Sequence, residues 1–380
     1  MIGTVHTAPA IAPDSGSALD TLAQLRNFTP EPPSDPPSGK GHARALVKRA
    51  RAKTLAAPTA AALCMEVIGT GSPLLWAYGR SLECASIAEQ DVDGKIRSHY
   101  CKNRWCPTCG RIRTGRLINQ YGPVIDSWGE DARFVTLTAR TVTGPNLSAR
   151  GDDLVAMFNR CKDSMRKEGV KLQAIRGFDV TYNPQTNRYH MHIHAVVKGE
   201  SAAYMLVAYW LKKWKGEAVR EAQDVRPVTE GSANELFKYS TKLIGDKKPI
   251  PPKALDVIFN ALRGRRMVQP VGFVAPKVDP VQDAEQLETI ATTLAPSRVG
   301  ERIVWRWVQA VSDWVDFDTG DMLSGYEPSD RYKALCDSIA APDVVIDAEY
   351  RMHEARIQRN VERRRAVRLN SRLDTHARGK

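Results

Sequence analysis

The sequence predicts an α+β fold: an antiparallel sheet of the split βαβ class, preceded by a small zinc-binding module. Three observations carry this. Between Arg133 and Gly245, short β-prone runs alternate with helix-period segments in the order βαββαβα. Two of those runs flank an Asn183-Pro184 turn, as an antiparallel hairpin requires. Four cysteines cluster between Cys84 and Cys109, just ahead of the sheet.

Taken in order, residues 1–60 are an arm rich in Pro, Ala, Ser and Thr. Its run Pro30-Glu31-Pro32-Pro33-Ser34-Asp35-Pro36-Pro37 supports neither helix nor sheet, so the arm is expected to be disordered. Within it, residues 40–53 hold six Lys or Arg and no acid, a segment that either touches phosphate or keeps the arm solvated. Residues 61–125 are read as the cysteine module and residues 126–275 as the core. There Phe134-Val135-Thr136-Leu137-Thr138 reads as a strand, and Leu154, Met157, Cys161 and Met165 recur at helical spacing. Strands over 174–182 and 189–197, a helix over 202–215, a strand over 225–228 and a helix over 233–244 follow. Helices are expected on one face of this sheet. After a Pro-rich break at 248–252, a helix over 253–263 leads into Gly264-Arg265-Arg266. Residues 276–340 form a Trp-rich accessory region, with Trp305, Trp307, Trp314 and Phe317 expected to pack a core of their own. Residues 341–380 read as a basic helical tail, and no internal repeat is visible.

The 380 residues include 55 Lys plus Arg against 43 acids, a net charge of +12, and the soluble explanation for such an excess is a polyanionic partner, nucleic acid first. From position 351 to the end there are ten basic and three acidic residues, so the tail dominates the total. No apolar run reaches the roughly 20 residues of a membrane span, and no basic segment followed by an apolar core opens the chain. Seven cysteines, four of them clustered, fit a metal site in a reducing cytoplasm better than a disulfide framework.

Three constellations carry chemistry. The first is Cys84, Cys101, Cys106 and Cys109: a C-x-x-C knuckle gives two thiolates to one ion, and two ligands from a preceding hairpin close a tetrahedral zinc site. His99 is an alternative to Cys84 as fourth ligand, with Cys84 then merely buried. Lys102, Arg104, Arg111 and Arg113 make the module basic and are its candidate DNA contacts. Cys64, Cys161 and Cys336 read as core residues.

The second is the alternation His190, His192, His194. On a strand these imidazoles share one face while Met191, Ile193 and Ala195 take the other. If Tyr182 pairs with Tyr189, then Thr181 faces His190 and Asp179 faces His192; a one-residue slip would turn Asp179 away. Two or three imidazoles and a carboxylate then make an N/O site with open positions, suited to Mn²⁺ or Mg²⁺ bridging a phosphate. The third is the helix segment from Glu235 through Ile244. At about 100° per residue, Glu235, Lys238, Tyr239 and Lys242 share the polar face. The two lysines favour the phenolate of Tyr239 and can bind a phosphate, and Glu235 is placed as a general base.

In their order, Cys101-x4-Cys106-x2-Cys109, Phe134-Val135-Thr136-Leu137-Thr138, Asp179-Val180-Thr181-Tyr182-Asn183, His192-Ile193-His194 and Glu235-x3-Tyr239 resemble the rolling-circle plasmid replication initiators of the HUH endonuclease superfamily. Ala261-Leu262-Arg263-Gly264-Arg265-Arg266 resembles a downstream segment of the same family, and the likeness spans about residues 84–273. It implies a ferredoxin- or RRM-like nickase core and a metal-dependent DNA strand transferase. The implied divalent-ion ligands are His192 and His194, with His190 just ahead of the pair and Asp179 where the family usually carries Glu. The implied nucleophile is Tyr239, which forms a 5′-phosphotyrosine at the origin and leaves a 3′-OH primer, and the implied termination carboxylate is Glu235. Origin DNA, single-stranded or cruciform, and host replication proteins are the implied partners. No G-x4-G-K-[ST] loop is present, in keeping with transesterification rather than nucleotide hydrolysis. Rival readings are an HUH transposase or relaxase, a non-catalytic zinc-containing DNA-binding regulator, and a zinc hydrolase using the three histidines.

Overall fold

A computed structural model describes residues 41–90, 96–237, 249–277 and 303–377. In chain order its principal elements are α1 (Gly41–Val67), α2 (Leu75–Leu82), β1 (Ile87–Gln90), β2 (Ile96–Ser98), α3 (Pro107–Ser127), β3 (Ala132–Thr138) and α4 (Leu147–Lys167). These are followed by β4 (Ala174–Asn183), β5 (Arg188–Lys198), α5 (Glu200–Lys213), β6 (Asp224–Pro227), α6 (Glu230–Phe237), α7 (Pro252–Leu262) and β7 (Val268–Val271). The chain ends in β8 (Ile303–Val308), β9 (Asp313–Asp316), α8 (Asp330–Ile339) and α9 (Pro342–Ala377).

The central sheet runs β6-β3-β5-β4-β7, antiparallel throughout. The hairpin register is the expected one: Tyr182 pairs with Tyr189, Thr181 with His190 and Asp179 with His192. Period-2 alternation then sends Phe178, Val180, Met191, Ile193, Ala195 and Val197 to one face, where α4, α5 and α7 bury them. On α4 the stripe Leu154, Met157, Phe158, Cys161, Met165 does the covering.

The opposite face is not bare, contrary to the expectation of helices on one side. Tyr121 and Ile125 of α3 and Leu236 and Phe237 of α6 pack there on Phe134, Ile175 and Val196. Those strand positions are apolar, so half of this face needs a cover, and the polar half beyond them stays available to ligands.

The arm expected over residues 1–60 is shorter than that. Its first 40 residues lie outside the described part, but residues 41–67 form α1, a helix buried nearly all round from Leu46 onward. The alanine-rich run supplies the helix propensity, and the small side chains let α2, α7 and α9 approach closely. Pro58 stands inside this helix and cannot donate to the carbonyl of Thr54; Gln309 Nε2 donates to that carbonyl instead, at 3.1 Å.

The Trp-rich region likewise does not keep a core to itself. β8 pairs with β1, giving a second sheet in the order β2-β1-β8-β9 that joins it to the cysteine module. Trp314 Nε1 donates to the carbonyl of Ala85 at 2.7 Å, and Trp305 and Trp314 share a cluster with Cys84, Cys106 and Cys109. The basic tail is a helix, as expected, but its first turns are structural: Val345, Ala348 and Met352 are buried.

Candidate active site and metal centres

On the polar half of the sheet face, β4 and β5 bring three ligand atoms together. His192 Nε2 lies 3.3 Å and His194 Nε2 3.4 Å from the same oxygen, Asp179 Oδ2, and all three residues are buried. The rings are held from behind. His194 Nδ1 lies 3.2 Å from Thr136 Oγ1 on β3, and His192 Nδ1 lies 3.4 Å from the carbonyl oxygen of His190. Asp179 Oδ1 accepts from the Val180 N–H at 2.9 Å, leaving Oδ2 turned inward. Fixing the outer nitrogen of each imidazole and one carboxylate oxygen aims the remaining atom of each at a common point, as in metal sites with a supporting layer. The N, N, O donor set fits a divalent ion with open coordination positions.

Asp179 therefore reaches both imidazoles. His190 does not join the three: its ring centroid lies 5.3 Å from that of His192, and burial pulls its pKa down to about 4. It stays a neutral neighbour, with its backbone carbonyl oriented toward His192.

Glu235 is exposed on α6, and its carboxylate pairs with an arginine of the sheet edge. Arg226 Nη2, on β6, is 2.5 Å from Glu235 Oε2, while the same guanidinium lies 4.3 Å over the Phe134 ring. Phe134 in turn packs against His194, centroid to centroid 5.2 Å. Tyr239, Lys238 and Lys242 lie outside the described residues. The chain leading to them is anchored, because Thr114 Oγ1 donates to the carbonyl of Phe237 at 3.1 Å.

The second centre is the cysteine cluster. The sulfurs of Cys84, Cys101, Cys106 and Cys109 lie within 4.8 Å of one another, so Cys84, rather than His99, completes the set. Cys106 caps α3 and Cys109 sits in its first turn, where the helix dipole favours thiolate. The N–H groups of Cys101 and Asn103 point at Cys84 Sγ and Cys101 Sγ, 3.5 and 3.4 Å away. The Cys101 thiol is pulled below the usual range by hydrogen bonds from Cys106 and Cys109, whereas sulfur neighbours push that of Cys84 up. Four sulfurs so close suit a soft tetrahedral ion such as zinc.

Lys53, in the basic run of the expected arm, is buried. Its ammonium donates to the Leu82 carbonyl at 2.9 Å and to Ser86 Oγ at 3.0 Å, beside Cys84. Of the basic residues expected to face DNA, Lys102 is exposed. Arg104 Nη1 donates to the carbonyl of Arg265 at 2.8 Å, Arg111 Nη1 to that of Lys48 at 3.2 Å, and Arg113 Nη1 is buried without a hydrogen-bond partner among the described residues. Arg226 is a site residue that the motifs do not reveal, and Thr136, though inside the Phe134–Thr138 motif, gains its role only from the β3–β5 pairing that sets it opposite His194.

Comparison with known proteins places the chain in a family. The profile of a family described as Replication protein matches residues 95–314. Among curated relatives, Protein rep of Streptococcus pneumoniae serotype 2 is 25% identical over 189 residues, 43% of this chain and 56% of that protein. Protein rep of Lentilactobacillus hilgardii is 28% identical over 192 residues, 43% of this chain and 61% of that protein. Protein rep of Staphylococcus aureus is 25% identical over 171 residues, 38% of this chain and 71% of that protein. The chain thus spans little more than half the length of the first two. No solved structure matches it. No helix among the described residues is long and apolar enough to cross a membrane.

Proposed function

Because the chain belongs to the Rep family of plasmid replication proteins, we propose that it initiates rolling-circle replication by nicking one strand of its origin DNA through Tyr239. The single observation that carries the reading is the convergence of His192, His194 and Asp179 on one point of the polar half of the sheet face. His192, His194 and Asp179 would hold a Mg²⁺ or Mn²⁺ ion, which would supply positive charge to the scissile phosphate.

The remaining roles fall to side chains. Tyr239 attacks the phosphate in line, so that the phosphotyrosine bond forms as the bond to the departing 3′ oxygen breaks. Lys238 and Lys242 lower the cost of the phenolate and bear on the phosphate oxygens. The released 3′-OH primes a host polymerase. Glu235 later takes a proton from the water or 3′-OH that resolves the closing junction, and Arg226 holds its carboxylate for that purpose. The zinc module and the basic segments around it contact the DNA.

Incubating the protein with Mn²⁺ and candidate origin DNA, then mapping any protein-linked 5′ end, tests the proposal. The expected adduct sits on Tyr239 and disappears in Tyr239→Phe. An adduct on another tyrosine, or none with any origin of the host plasmid, overturns it.

A further inference from the structure

We propose that the reverse side of the sheet carries a second ligand site, for the phosphate group of a nucleotide, in a cavity between α4, β4 and β7. The cavity is about 440 Å³, inside the range of about 300–1,000 Å³ usual for small-molecule sites. Three arginines line it, Arg176, Arg265 and Arg266, against one carboxylate, Asp152.

Arg265 and Asp152 account for each other. Arg265 Nη1 is 2.6 Å from Asp152 Oδ1, its Nε donates to the Ala261 carbonyl at 2.9 Å, and its Nη2 donates to the Ser148 carbonyl at 2.5 Å. A Cβ at Gly151 would come within 2.9 Å of Arg265 Cζ, so the glycine is what lets this guanidinium lie against α4. It forms a fixed wall, and two positive charges are left over.

The first belongs to Arg176, three residues from Asp179 on the same strand and therefore on the other face. Its side chain is only 5% exposed, and its guanidinium lies 5.6 and 5.5 Å from the rings of Phe158 and Phe178. Nη2 donates to Gln269 Oε1 at 2.7 Å, but Nη1 is buried with no hydrogen-bond partner among the described residues. A guanidinium cannot shed its proton, so an unsatisfied donor on a buried cation is a standing cost that an anion removes. The second charge is Arg266, exposed at the mouth. Two arginine forks around one opening match the oxygens of a phosphate. The wall formed by Val155, Ala156 and Phe178 offers an apolar surface to the sugar and base. The choice of a nucleotide over other phosphates rests on the proposed DNA chemistry; the phosphate site itself does not.

The test is calorimetry of the full chain without added divalent metal, using deoxyadenosine monophosphate, inorganic phosphate and a short single-stranded oligodeoxynucleotide. The monophosphate is expected to bind, and Arg266→Ala, a surface change, to weaken it about tenfold or more with unchanged melting temperature. Arg176→Met is expected to abolish binding without loss of stability, since it removes an uncompensated buried charge. The His192→Ala/His194→Ala double variant is expected to bind as before, which separates this site from the metal face. If the oligodeoxynucleotide shows the same Arg266 dependence, the phosphate comes from a DNA strand; if only the monophosphate does, it comes from free nucleotide, and the site stands even where nicking fails. No binding, binding of inorganic phosphate alone, binding indifferent to Arg266→Ala, or binding abolished together with the histidines each overturns it.

Discussion

Arg226 and Glu235, nine positions apart on β6 and α6, form an ion pair of 2.5 Å whose guanidinium also covers Phe134. Phe134 touches His194. The proposed termination carboxylate and the metal-face histidine are thus linked through one aromatic ring, and the orientation of Glu235 depends on Arg226. Glu235→Ala is expected to nick at a near-normal rate but to terminate poorly, giving multimeric displaced strands or persistent covalent complexes. Arg226→Met should show the same defect, and the double variant no more than either alone, a coupling of about 0.5–3 kcal/mol in the usual range for residues in contact. Additive defects would mean that Arg226 acts elsewhere.

At the metal face, Asp179→Asn and His194→Ala are expected to remove Mn²⁺ binding measured by electron paramagnetic resonance, with zinc content unchanged in elemental analysis. Thr136→Val, which deprives His194 Nδ1 of its hydroxyl, should weaken Mn²⁺ by about tenfold or more, as loss of an outer partner usually does. His190→Ala should be milder than either. Retention of full Mn²⁺ affinity in Asp179→Asn would remove the carboxylate from the ligand set.

The strands and this site are legible in the sequence because both rest on short-range rules. Alternation sets His192 and His194 on one face, and the Tyr182–Tyr189 pairing sets Asp179 opposite them. What is not legible is long-range. Ala88 pairs with Trp305 across more than two hundred residues, and nothing local in either strand names the other. Helix α1 is masked because proline and basic residues upstream colour the whole segment, although the leucines and alanines on either side of Pro58 are strong helix formers. Pro58 is tolerated there only because Gln309 arrives to satisfy Thr54, which no window of sequence shows. Arg226 escapes notice for the same reason: its meaning lies in Phe134 and Glu235, on two other elements.

For the cysteine centre, one tightly held zinc per chain is expected, lost on Cys84→Ser or Cys109→Ser. Its removal should loosen more than the module, because Trp105, between the ligands Cys101 and Cys106, stacks on Phe259 of α7 with centroids 4.4 Å apart. Trp105→Ala should cost about 3–5 kcal/mol, the usual range for deleting a buried aromatic, in denaturant unfolding of the zinc-loaded chain. An unchanged melting temperature after chelation would reduce the cluster to packing.

The tail separates into two parts with different expected effects. Truncation before residue 342 removes Val345, Ala348 and Met352 from the core and should unfold the protein. Truncation after Glu362 removes seven basic residues and one acid, leaves that packing in place, and should weaken DNA binding. The slope of log affinity against log salt should fall by about 0.9 for each phosphate that the shortened chain no longer neutralises. An unchanged slope in gel-shift titrations at several salt concentrations would assign this segment to something other than DNA.

Gly177 decides how closely the end of α6, which leads toward the proposed nucleophile, can approach the metal face. It sits opposite His194 on β4, and a Cβ there would meet Leu236 Cδ1 at 3.2 Å, the Leu236 carbonyl oxygen at 3.3 Å and the Met267 carbonyl oxygen at 3.4 Å. The side chain can turn aside, but the Leu236 carbonyl is backbone and has to give by a few tenths of an ångström, with the Met267 oxygen already at contact distance beside it. The end of α6 must therefore move, and that motion is opposed by the hydrogen bond from Thr114 to Phe237. Gly177→Ala is expected to cost about 1–3 kcal/mol in stability, as overpacking does. Because Tyr239 follows Leu236 by three residues, nicking should slow further than this destabilisation explains while Mn²⁺ affinity stays near normal. Adding Leu236→Ala relieves the methyl contact but not the carbonyl, so it should restore stability only in part and the nicking rate little. A Gly177→Ala protein that melts and nicks like the parent would show that α6 has room to spare.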